Sequence, residues 1–175
     1  MNDLWWQSVE GKLLAQGDLL PDCCLPIFVD PVPQEDDTKE QEIEVVSQRL
    51  IVVTQSCDLE NEKVQFVALC PVHSLDEFSE FNPHYSNTKN WESVRRGQVH
   101  ALHLIRSHDE PDINTKSFVV DFGHIVSLPI EYLSDHATAL GPRHRLRPPF
   151  LEHFSQAFAR FFMRVGLPSG IASFK

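Results

Sequence analysis

The stretch Arg49-Leu-Ile-Val-Val-Thr-Gln-Ser-Cys-Asp58 decides the fold class. Its apolar run at 50–54 (LIVVT) is rich in β-branched residues and suits a strand buried on both faces. Asp58-Leu-Glu-Asn61 supplies a turn, and 64–71 (VQFVALCP) supplies a second strand, so the segment predicts a β-hairpin. Downstream, 98–106 (QVHALHLIR) and 117–128 (SFVVDFGHIVSL) are further strand candidates, with Gly123 marking a bulge or bend in the second. Residues 76–90 are polar and carry Asn82, Pro83 and Asn87, which predicts a loop.

Upstream, residues 3–15 predict a short helix capped by Asp3, broken at Gly17-Asp18, with a first strand starting at Leu19-Leu20. Residues 30–47 (DPVPQEDDTKEQEIEVVS) are rich in proline and acid and predict a long loop. At the other end, residues 129–138 predict a short helix. Pro148-Pro149 then opens a longer one from 150 to 165 that Gly166 and Pro168 close. Phe150, Phe154, Phe158, Phe161 and Phe162 fall on one side of this helix, opposite Glu152, His153, Gln156, Arg160 and Arg164. Such a stripe packs as core or, because aromatic residues are enriched at interfaces, binds a protein partner or a second copy. Phe154, Phe158, Phe161 and Phe162 are the candidate partner-binding residues. The expected class is α+β: a helix over 1–15, a β domain over 16–128 and a helical extension over 129–175.

The chain has 175 residues and a formal net charge of −10. From Gly141 onward, however, Arg143, Arg145, Arg147, Arg160, Arg164 and Lys175 face only Glu152, so this segment is net basic. Most of the surface repels a polyanion, which argues against a general nucleic-acid binder and leaves a local site open. Arg143, Arg145 and Arg147 alternate and would line one side of an extended segment. They are candidates for binding a phosphate or an acidic partner, or for contacting the chain's own acidic loop at 35–44. No apolar run is long enough for a membrane span, and Asp3 and Glu10 stand where a signal peptide would be basic and then apolar, which predicts a cytoplasmic protein. Cys23, Cys24, Cys57 and Cys70 are poorly spaced for a disulfide framework and fit a reducing compartment.

Several motifs in order resemble the PemK/MazF family of toxin barrels: Gly17-Asp18, Arg49-Leu-Ile-Val-Val-Thr-Gln55, Cys70-Pro71-Val72-His73 and Val119-Val120-Asp121-Phe122. The resemblance spans Gln16 to Leu128. It departs from the family pattern at Leu50, where proline is usual, at His73, where threonine is usual, and in the whole Phe-rich extension. It implies an SH3-like, PemK-like small barrel from a toxin–antitoxin or antiphage defence setting. The implied activity is a metal-independent endoribonuclease that needs no cofactor, with Arg49 and His73 on the scissile phosphate of RNA. TQSCDL and RLRPPFLEHFSQAFARFFMRVGLP also resemble an uncharacterised bacterial protein family, which implies no activity.

Other chemistries remain open. Cys57 ends the strongest strand, within possible reach of His73, His100 or His103, as a nucleophile would, although a free cysteine also serves as a small buried hydrophobe. Cys24, Cys57, Cys70 and His73 have the atoms for a zinc site but lack its usual spacing, giving a zinc-binding regulator as a third reading. His100 and His103 point to opposite faces of a regular strand and so cannot chelate one ion together.

Overall fold

The computed structural model describes residues 5–28, 43–107 and 117–163. The hairpin is present. Strand β3 (Ile43–Val52) pairs antiparallel with β4 (Phe66–Ser74), Leu50 opposite Pro71 and Ile51 opposite Cys70. Between them, 58–60 belong to a one-turn helix, α1 (Ser56–Glu60), with Leu59 buried and Asn61 as its C-cap. Strand β2 (Leu19–Phe28) adds to the outer side of β3. Its register slips by one residue between Leu20 and Cys23, where Asp22 has φ 55°.

The expected strand over 117–128 is two strands with a bend at Gly123. β6 (Ser117–Asp121) pairs with 72–74 of β4, and β7 (Val126–Pro129) pairs with 66–69. β5 (Leu102–Arg106) pairs with β6 and ends the sheet, whose order is β2-β3-β4-β6-β5 with β7 beside β4. Every pairing is antiparallel, and the described strands do not close the sheet on itself.

Alternation along these strands makes two apolar faces. One carries Leu50, Val52, Val67 and Leu69 and is covered by Leu133 and Ala137 of α4 (Ile130–Leu140). The other carries Ile51, Val53, Cys70, Val72 and Val120 and is covered by α5 (Phe150–Phe162) through Phe154, Phe158 and Phe161. α4 also braces the β2 bulge, where Pro21 C=O accepts from His136 Nε2 (2.7 Å) and Cys24 N–H donates to Tyr132 Oη (2.8 Å). Both backbone groups are thereby satisfied at a sheet edge.

Two expectations fail. Residues 76–90 are not a loop: α2 (Leu75–Phe81), a 3-10 turn (Pro83–Ser86) and the start of α3 (Thr88–Arg95) occupy the stretch. Ser74 and Glu77 form a reciprocal capping box, and Asn87 caps α3, so the polar residues mark helix starts. Phe78, Tyr85, Trp91 and Val94 then pack together on Leu102 and Val119. The N-terminal helix is also absent from the described residues. Trp6–Val9 forms a strand, β1, that pairs antiparallel with β8 (Arg143–Leu146). β1 of the expected N-terminal segment thus pairs with β8 of the expected extension, and the expected boundary at 128 falls within β7. Of the acidic loop, residues 30–42 lie outside the described residues, and its last part, from Ile43, is already β3. The expected closure of α5 at Gly166 and Pro168 also falls outside them.

Candidate functional site

The basic patch has an internal partner. Asp18, wholly buried, accepts from Arg143 Nε (3.0 Å), from Arg145 Nε and Nη2, and from Ala15 N–H (3.2 Å). Arg143 extends the clamp to Gly11 C=O (2.7 Å) and Leu13 C=O (2.5 Å). Gly17 makes the turn that presents Asp18: its φ is +83°, and a Cβ there would meet Leu151 and Leu146 at about 3 Å. Arg143 and Arg145 do share a side, as alternation predicted, and both face the carboxylate of Asp18, just before β2; most of the loop at 35–44 lies outside the described residues. Arg143 is 3 % exposed, so it offers no surface to a phosphate. Arg147, past the end of β8, is half-buried, and its N–H donates to Trp5 C=O (2.9 Å).

Arg49 and His73 lie on opposite faces of the sheet. Arg49 shares the α5 face, its guanidinium 4.7 Å from the centre of the Phe118 ring. It lines a cleft of about 360 Å³ together with Leu19, Arg143 and His144. His73 pairs across from Val119 on the other face and rests on Phe78 and Phe81, with ring centroids 5.8 and 5.0 Å away. Burial pulls the His73 pKa below the ordinary histidine value, the charges of Glu77 and Asp121 act to raise it, and those of His124 and Arg49 act to lower it, so Arg49 still acts on His73 electrostatically from the other face. The basic residues that share the Arg49 cleft are thus Arg143 and His144, neighbours that no sequence spacing announces.

The cysteines diverge in the same way. Cys23 packs in the α4 core and Cys70 in the α5 core, each with its thiol pushed up to about 12, chiefly by burial, so both are neutral thiols at pH 7. Cys24 and Cys57 are exposed. Cys70 and His73, three apart in one strand, point to opposite faces, and no group of three or more metal-ligating side chains converges among the described residues.

The aromatic stripe of α5 is mostly core. Phe154 is fully buried, and its ring lies 5.7 Å from that of Phe122; Phe158 and Phe161 are half-buried against the same ring. Among the four candidates only Phe162 is largely exposed, at 56 %.

The polar side of α5 faces something the sequence did not single out. A cleft of about 740 Å³ runs along the outer edge of β5, between α3 and α5. Its cationic and imidazole groups are Arg95, Arg106, Arg160, His100, His103 and His153, and among the described residues no carboxylate lines it. Arg95 is paired with Glu92 (2.6 Å), whereas Arg160 is exposed and forms no ion pair among the described residues. His103 sits over Phe122, 5.8 Å between ring centroids, and burial together with nearby His153 lowers its pKa to about 4. It is therefore neutral at pH 7 and offers a hydrogen bond in place of a charge. His100 is exposed and His103 partly buried, and both border the same cleft. Comparison with protein-family models, curated proteins and solved structures finds no match. Among the described residues no helix is long and apolar enough to cross a membrane.

Proposed function

We propose that the protein is a cytoplasmic, non-catalytic binding module that engages an anionic partner protein in the cleft between β5, α3 and α5. One observation carries this reading: a chain of net charge −10 keeps a cleft of about 740 Å³ that is lined by three arginines and three histidines and, among the described residues, by no acid. In a protein that repels anions over most of its surface, such a cleft concentrates them at one place. Dextran sulfate, a generic polyanion, tests it. Arg160→Glu is expected to weaken binding at least about fivefold, with steep salt dependence, while Arg147→Glu outside the cleft has a smaller effect. Equal binding by both variants and the unaltered protein would reject the cleft as the site.

A second reading keeps the PemK/MazF-like resemblance, with an SH3-like barrel architecture and endoribonuclease activity in a defence system. It is supported by Arg49, which lines the smaller cleft beside His144. Arginine suits a phosphate in flight and histidine suits proton transfer near neutral pH. Under this reading Arg49→Ala and His144→Ala abolish RNA cleavage; cleavage that survives both ends it. His73, on the other face, is expected to be dispensable.

A further inference from the structure

We infer that the occupant of the larger cleft is an extended acidic peptide segment, added as one more strand on β5 and read as acidic–apolar–acidic; this rests on the binding-module reading above. The backbone of β5 supplies the first reason. Phe122 N–H donates to Ala101 C=O (2.8 Å), which continues the register of β5 on β6 and makes residues 103 and 105 the ones whose backbone groups turn inward to β6. Leu102, Leu104 and Arg106 turn theirs outward. Two of the outward groups are taken: Leu102 N–H donates to Val99 C=O (3.4 Å), and Arg106 C=O accepts from Trp6 Nε1 (2.9 Å). Leu104 lies between them, and its N–H and C=O have no backbone partner among the described residues. That is the pair of groups a visiting strand uses.

The walls supply the second. A residue paired opposite Leu104 shares its face of the sheet, toward the α3 side, where Val94, Val99 and Leu102 line the cleft. Its two neighbours pair opposite His103 and Ile105 and turn to the α5 side, toward His103, His153 and Arg160. Ala157, the small residue on the α5 wall, leaves room for them. The central side chain meets an apolar wall, and the flanking ones meet a wall of one arginine and two imidazoles that offers charge and hydrogen bonds, which selects the pattern Glu-Val-Glu over acidic density alone. RNA is the less fitting occupant. Trp5, the aromatic ring in this cleft best suited to stacking, already stacks on Phe150 at 3.8 Å, and a base has no strand backbone to offer Leu104.

The probe is a fluorescein-labelled peptide, Glu-Val-Glu-Val-Glu, measured by anisotropy beside an equal-charge shuffle, Glu-Glu-Val-Val-Glu, a version N-methylated at the valines, and a short uridine oligonucleotide. The alternating peptide is expected to bind at least about fivefold tighter than the shuffle, and N-methylation to remove the difference. Arg160→Glu and His153→Glu, both exposed and therefore compatible with folding, should each weaken the alternating peptide about fivefold. Equal binding of peptide and shuffle overturns the strand inference, as does preference for the oligonucleotide. If dextran sulfate still binds in an Arg160-dependent way, the cleft remains the site and only the strand-adding occupant is lost. If neither dextran sulfate nor peptide binds, both fail.

Discussion

Asp18 shows how a single buried carboxylate can organise distant parts of a chain. It holds two arginines from β8, one of them 3 % exposed, and through Arg143 it also fixes the carbonyls of Gly11 and Leu13. Removing one member of such a cluster strands the other charge away from water, which costs about 3–5 kcal/mol. Asp18→Ala is therefore expected to lower unfolding free energy by that order in a urea titration; a change under about 1 kcal/mol would show that Arg143 reaches solvent when unpaired. His103 makes a second prediction at this scale. Its folded pKa of about 4 lies below the ordinary 6.5, so between those values the unfolded chain binds a proton that the native protein does not. Stability is then complete above pH 6.5 and falls as pH drops toward 4, by at most about 1.4 kcal/mol per pH unit from this group. His73 is shifted in the same direction, so the test is a difference: His103→Gln should flatten the slope between pH 7 and pH 5 without abolishing it. An unchanged slope would contradict the burial of His103.

Among the elements, α5 separates packing from binding most clearly. Phe158 lies 5.3 Å from Phe122 between ring centroids, and Phe162 is 56 % exposed on the same helix. Phe158→Asp should unfold the protein or lower its melting temperature sharply, because it puts a charge into the α5 core, while Phe162→Asp should leave melting nearly unchanged. The reverse order would mean that the helix packs by another face. The 3–4 spacing made this helix legible in the sequence, as the β-branched run at 50–54 made the hairpin legible. The segment at 76–90 was not legible, because its one proline and its asparagines are the same residues that start helices. The Ser74–Glu77 spacing was the available signal, and Ser74→Ala should cost about 1 kcal/mol. β1 was not legible either: four residues have too little pattern of their own, and their partner β8 lies at the far end of the chain. Arg143 and Arg145 announced themselves by alternation, yet whether they faced a ligand or Asp18 depended on a contact spanning most of the sequence.

At the scale of the whole molecule, charge is distributed unevenly in space as well as along the chain. Arg143 and Arg145, two apart in β8, are drawn inward by Asp18. The cleft at the sheet edge gathers its cations from α3, β5 and α5, three elements that no sequence window contains together. The most direct test is a nuclear magnetic resonance titration of the ¹⁵N-labelled protein with the Glu-Val-Glu-Val-Glu peptide. Backbone amide shifts concentrated at residues 102–106 and 153–160, and reduced by Arg160→Glu, are the predicted result. Shifts centred instead on Arg49 and His144, or none at all, would contradict the assignment of the β5–α5 cleft as the binding site.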